Sequence, residues 1–333
     1  MEEIITLDYG SGGKKTSSLI DSLIIPLLGN DTLSELGDGA VIDGSEKLVF
    51  STDSFVVSPY FFPGGDIGKL SVCGTVNDVS MQGGIPRYLS LSLIIEEGLP
   101  FADLEKIIGS IKDTAERANV RVVTGDTKVV GKGSGDGIFI NTAGIGFLAR
   151  PGLSRKNIRP GDKVIVSGTV GDHGAAVMLA RNSNLVQGDL KSDCMPLDKL
   201  AQGLFSLGDD LRILRDPTRG GVATTLCEFA EGEDFSIVLD EKKIPVSPAV
   251  AGTCDILGLD PLYCANEGKL LAVVSPGRAD EALEILHRTS GGENAAVIGE
   301  VNIEHPGRVL VRTRFGALRI LAKLAGAQLP RIC

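Results

Sequence analysis

FADLEKIIGSIKDTAERANVRVVTGDTKVV, residues 101–130, carries two structural periods in one run. Phe101, Leu104, Ile108, Ile111, Ala115 and Ala118 recur at steps of three and four, which predicts a helix from about Phe101 to Ala118 with one apolar stripe facing a core. The β-rich run Arg121 to Val123 follows at once, and a Gly-Asp-Thr cluster comes directly after it. A helix returned into a strand is the unit of a layered α/β fold, so all-α and all-β architectures are set aside.

Working outward, strand-like runs stand at Leu48 to Thr52, Tyr88 to Ile95, Ile138 to Leu148, Lys163 to Ser167, Leu270 to Val274 and Arg308 to Arg312. A second stripe, Leu200, Leu204, Leu207 and Leu211, has helical spacing. Between the halves, ARPGLSRKNIRPGDK (149–163) breaks the periodicity with two Pro-Gly pairs and five basic residues. The expected organisation is an N-terminal domain over 1–150, a C-terminal α/β domain over 151–315, and a tail over 316–333.

A chain of 333 residues that is 43% hydrophobic and 23% charged can bury the cores of two domains. Its formal charge of -10 argues against a nucleic-acid backbone as partner. The opening MEEIITLDYG is acidic where a secretory leader is basic, and no apolar run has the length of a membrane span, so the expected location is the cytoplasm. The six cysteines include no Cys-x-x-Cys pair; the five internal ones read as small apolar fillers in a reducing compartment.

The chemistry-bearing pattern is a series of aspartates set among small residues: Asp38, Asp53, Asp78, Asp126, Asp172 and Asp216. Small neighbours let a backbone approach a ligand, and carboxylates are the ligands that Mg²⁺ prefers, so the set reads as a metal-nucleotide site. Taken singly, each Asp-Gly or Asp-Thr pair is also an ordinary turn signal. Gly10-Ser11-Gly12-Gly13-Lys14 offers amide groups to phosphate, but its spacing is not that of a P-loop. The last residue is Cys333, in Pro330-Arg331-Ile332-Cys333; it is too close to the end for a prenylation box. A mobile end suits a thiol loaded at one place and processed at another, with Arg331 as the neighbouring charge able to activate it.

Taken together, FSTDSFVV, CGTVNDVSMQGGIPRYLS, VTGDTKVV, SGTVGDHGAA, RDPTRGG, ANEGKLL and the terminal PRIC resemble the HypE family of [NiFe]-hydrogenase maturation proteins over nearly the whole chain. That family lies in a wider group with aminoimidazole ribonucleotide synthetase, selenophosphate synthetase and thiamine-monophosphate kinase. The resemblance implies a two-domain aminoimidazole ribonucleotide synthetase-like α/β fold, N-terminal strands forming a barrel across a homodimer, a flexible tail, and ATP with Mg²⁺. It also implies a carbamoyltransferase partner, HypF, that loads Cys333, dehydration of the carbamoyl group to a thiocyanate, and delivery of cyanide to a HypC-HypD iron complex.

By the same resemblance, Glu267 contacts and deprotonates the amide nitrogen, and Lys128 stands beside the same group. Asp38, Asp53, Asp78 and Asp126 hold Mg²⁺ and phosphate, Gly12, Gly13 and Asn77 line that site, and Asp216 belongs to its second-domain wall. His173, in a Gly-rich turn, is given no role. GSGGKK lacks the cysteine expected of a selenophosphate synthetase, and a thiamine or purine role leaves PRIC unexplained. A non-catalytic thiol carrier would leave the acidic clusters without purpose.

Overall fold

The computed structural model describes residues 4–182, 189–324, 326 and 331–333. Four strands, β1 (Leu48–Phe55), β2 (Gly84–Glu96), β3 (Arg121–Val130) and β4 (Ile138–Leu148), form the first sheet in the order β1-β4-β2-β3. Only the β2/β3 pair is parallel, and the helix predicted at 101–118 makes that crossover. This helix, α2 (Phe101–Arg117), buries Leu104, Ile107, Ile108 and Ile111 completely.

Helix α1 (Ile67–Met81) is buried on nearly every side because it lies between the first sheet and the second half of the chain. Its N-cap Asp66 accepts from the backbone N–H groups of Gly68 and Lys69, which satisfies two of the helix's unpaired donors. The sheet comes close to α1 through Gly146 of β4, where a Cβ would stand 2.4 Å from Val79 Cγ1. On the opposite face of the sheet, Leu48, Phe50 and Ile94 are 51%, 67% and 41% exposed among the described residues.

The second sheet has seven strands in the order β11-β10-β7-β9-β5-β8-β6. They are β5 (Lys163–Val166), β6 (Leu211–Arg215), β7 (Ser236–Asp240), β8 (Leu271–Val274), β9 (Ala296–Asn302), β10 (Val309–Arg312) and β11 (Leu318–Leu321). Alternation along β5 divides its core: Val164 and Val166 join the layer of helix α5 (Gly221–Ala230), while Ile165 joins that of helices α4 (Asp198–Leu204) and α7 (Ala279–Arg288). Helices α3 (Asp172–Arg181) and α6 (Pro248–Leu257) complete the half.

Two sequence expectations differ here. The stripe Leu200–Leu211 is not one helix: α4 ends at Leu204, a 3₁₀ turn spans Phe205–Asp210 with Gly208 at φ 58°, and Leu211 opens β6. All four leucines nevertheless face the same core, whatever element carries them. Residues 318–321, expected in the tail, are the edge strand β11, paired antiparallel with β10.

Candidate active site at the docked carboxyl end

Cys333 is not free. A main-chain oxygen of Cys333 accepts the Val56 N–H at 3.2 Å, and the Arg331 carbonyl accepts the Ser58 N–H at 3.4 Å, so the chain end runs antiparallel to the segment that leaves β1. Ile332 between them is 3% exposed and packs in the N-terminal core. Burial, with the charge of Glu267 adding to it, pushes the Cys333 thiol up to about 12. The expectation that Arg331 activates the thiol is corrected: the Arg331 guanidinium turns to Asp136 and the Phe139 ring, and the cation that lowers Cys333 is Arg219.

Glu267 is 2% exposed, and its Oε1 has no hydrogen-bond partner among the described residues. Desolvation holds its carboxyl well above the usual range, helped by nearby Cys194 and Asp216. Its backbone is fixed from below by Asp193, whose Oδ1 accepts the Glu267 N–H at 3.1 Å and whose Oδ2 pairs with Lys269 Nζ at 3.2 Å. Gly268 is required there, since a Cβ would lie 1.8 Å from the Asp193 carbonyl oxygen. Next to Glu267, Asn266 accepts the Gly171 N–H and donates to the Pro217 carbonyl, tying ANEGK to the RDPTRGG loop.

Three further carboxylates gather around this point. Asp53 on β1 and Asp78 on α1 are both raised by burial, and Ser51 Oγ donates to Asp78 at 2.7 Å. Asp216, just past β6, is pushed up to about 7 by burial and then by the charge of Asp78. Asn77, expected to line the site, is a strut instead: it donates to the Met195 and Glu267 carbonyls and accepts the Leu197 N–H.

The remaining expected residues lie elsewhere on the chain. Asp126 and Lys128 stand on β3 and pair at 2.6 Å; Lys128 is the chief cause of the lowered Asp126 carboxyl. With Gly12 they edge a cavity of about 220 Å³ whose apolar wall includes Leu28, Leu33, Leu91 and Leu93. Gly13 caps the short helix that follows, and Asp38 sits on an exposed loop. Since β1 and β3 are opposite edges of the sheet, Asp53 and Asp126 are separated by three strand spacings, about 14 Å along the sheet. Within the chain the Lys128 ammonium pairs with Asp126 and not with Glu267.

The four proposed metal carboxylates are not assembled either; among the described residues no three acidic, histidine or cysteine side chains converge as a ligand set. Mg²⁺ characteristically takes one or two carboxylates and completes its shell with water and phosphate, and the pair of Asp78 with Asp53, whose charge helps burial to raise the Asp78 carboxyl, fits that partial role.

Residues 36–148 match the family model AIR synthase related protein, N-terminal domain, and residues 159–312 match AIR synthase related protein, C-terminal domain. The chain is 43% identical over 337 residues to the carbamoyl dehydratase HypE of Rhodobacter capsulatus, covering 100% of this chain and 99% of that protein. Against the Escherichia coli K12 carbamoyl dehydratase HypE, identity is 45% over 336 residues, with 99% of each covered. The chain belongs to the HypE family. A crystal structure of a HypE protein in complex with ATP superposes with a TM-score of 0.94 at 45% identity, covering 98% of this chain and 99% of that one. The chain of a HypE–HypF complex gives 0.80 at 46%, covering 92% and 100%. Thiamine-monophosphate kinase from Aquifex aeolicus, at 22% identity and 0.62, shares the fold. No helix among the described residues is long and apolar enough to cross a membrane.

Sequence reasoning passed over His173, Ser192, Asp193 and Asn266. Asn266 had a signal, its place beside Glu267 in ANEGK; Asp193 had none, because its partners lie more than 70 residues away.

Proposed function

We propose that this HypE-family chain is an ATP-dependent carbamoyl dehydratase acting on a carbamoyl group carried by its own Cys333. The observation that carries this reading is the seating of the chain end beside Glu267, a buried carboxyl with an unpartnered oxygen. ATP is consumed as substrate. Its γ-phosphoryl passes to the amide oxygen, which makes that oxygen a leaving group; one nitrogen proton is lost as the C=N bond forms, and the second is lost as phosphate departs and the thiocyanate appears. Glu267 is the base for that nitrogen, and a dry carboxylate is a strong one. Bound with the nucleotide, Mg²⁺ would be held by Asp53 and Asp78 and would offset the phosphate charge there. Asp216 stands behind that pair.

Lys128 reaches this centre only from a second copy. A two-fold dimer that closes two four-stranded sheets into a barrel sets the β3 edge of one chain against the β1 edge of the other. It would also cover Leu48, Phe50 and Ile94 and bring the partner's cavity at Gly12, Gly13 and Asp126 to the thiol. Asp38, on its loop, is the remaining carboxylate able to follow the nucleotide.

HypF is the proposed carbamoyl donor, a HypC-HypD complex the acceptor of cyanide, and the cytoplasm the place of reaction. The test is single-turnover mass spectrometry of the carbamoylated protein with Mg-ATP. Loss of one water at the Cys333 peptide is expected, and an unchanged mass on intact protein would indicate a carrier without catalysis.

A further inference from the structure

The imidazole of His173 takes no part in the chemistry just described, yet it is fully buried and both its nitrogens are committed. Nε2 lies 2.7 Å from the carbonyl oxygen of Ile332, a residue 159 positions along the chain, and Nδ1 lies 2.8 Å from Ser192 Oγ. A carbonyl only accepts, so the ring proton sits on Nε2 and points at the tail. Nδ1 then accepts from the Ser192 hydroxyl, whose oxygen in turn accepts the Cys194 N–H at 3.0 Å. Ser192 is itself anchored, donating its N–H to the Pro63 carbonyl. The Phe62 ring stands edge-on to the imidazole, 5.3 Å away at 89°, and fixes its plane.

The rest of helix α3 extends the same grip. Arg181 donates from Nε to the Ser58 carbonyl at 2.6 Å and from Nη2 to the Arg331 carbonyl. One helix of the second domain therefore holds two successive carbonyls of the chain end, while residues 56–58 of the first domain hold the main-chain oxygens on either side of Ile332. An imidazole serving only its own domain would find its second partner there; this one spends it on the penultimate residue.

We propose that His173 is a positioning residue for the dehydration: its Nε2–H clamps the Ile332 carbonyl and so sets the group on Cys333 against Glu267. The proposal rests on the tail-borne substrate and adds to it the element that seats the tail. The clamp must also open, because a thiol held in this seat cannot visit a separate carbamoyl donor. Weakening it should therefore act with opposite signs on the two halves of the cycle, slowing dehydration and not slowing loading.

The experiment compares full-length wild type with His173→Ala, His173→Gln and His173→Asn. Glutamine places an amide N–H near the Nε2 position, whereas asparagine reaches only the Nδ1 position. Alkylation of Cys333 by iodoacetamide, quantified on its peptide, reports seating without any catalysis; single-turnover loss of water reports positioning. The Ala and Asn variants should alkylate at least about 10-fold faster and dehydrate about 10- to 100-fold more slowly, with an unchanged KM for ATP, while Gln recovers most of both. Unchanged rates in Ala and Asn, or a Gln variant no better than Ala, overturn the proposal. Should the Ala variant not fold, the Gln and Asn pair decides alone. A wild type that alkylates slowly but never loses water refutes the dehydratase reading, and the alkylation rates still judge the clamp.

Discussion

Cys333 lies along the edge of the first sheet that β1 forms, and Lys128 projects from β3 at the other edge. Under the proposed dimer, Lys128 would meet Cys333 only between copies. Mixing Lys128→Ala protein with Cys333→Ala protein should then restore about a quarter of wild-type turnover after subunit exchange, since half the dimers are mixed and each of those has one complete centre. Each parent alone should be inactive. Absence of rescue, with exchange verified by native mass spectrometry, would place Lys128 in service to its own chain.

Burial raises Glu267, so its basic form fills only at elevated pH. With the carbamoylated protein, whose Cys333 no longer titrates, single-turnover dehydration should climb with pH along one ionisation above the ordinary carboxylate range. Glu267→Gln should flatten that climb and lower the rate by about 10²- to 10⁴-fold while ATP still binds. A Gln variant within about threefold of wild type would remove Glu267 from proton transfer.

Asp216 is pushed up to about 7 from 3.8, so the folded chain keeps a proton that the unfolded chain releases. Its stabilising contribution is complete below about pH 4 and is lost as pH rises through about 7. Asp216→Asn cannot ionise and should melt roughly 2–8 °C above wild type at pH 8, with the gap closing by pH 4. Equal melting temperatures at both pH values would contradict the shift.

The Asp193–Lys269 pair is nearly dry, with side chains 3% and 10% exposed, and Asp193 also fixes the Glu267 backbone. Asp193→Ala strands a buried ammonium, so urea denaturation should show a loss of about 3–5 kcal/mol, and dehydration should slow by more than about 10-fold. Pairing Asp193→Asn with Lys269→Met should return most of the stability. If Asp193→Ala costs under about 1 kcal/mol, the pair is solvated in practice.

Every strand-like run named from the sequence became a strand or the core of one, because alternation and β-branching are local signals that tertiary packing reinforces here. The leucine stripe at 200–211 failed as a helix for the complementary reason: it reports which face meets the core, and Gly208 breaks the backbone beneath it. Within the site, each aspartate was visible as a motif, but its neighbours were not. Asp53 meets Asp78 because β1 lies on α1, whereas Asp126, in a similar motif, is carried to the other edge by the crossover through α2. His173 was legible only as a histidine beside glycine, since the partner that gives it meaning is near the end of the chain.

Among the described residues, the polar contacts that seat Arg331, Ile332 and Cys333 through their main chain end on its oxygens. Such a holder is indifferent to what the sulfur bears. Under the proposed reaction, bare, carbamoylated and cyanated forms would all be gripped by the same atoms, so the seat alone would not tell an unspent cargo from a finished one. The ordering of the cycle must then come from whichever protein or nucleotide arrives next, and an enzyme of this design would admit its own product back as readily as its substrate.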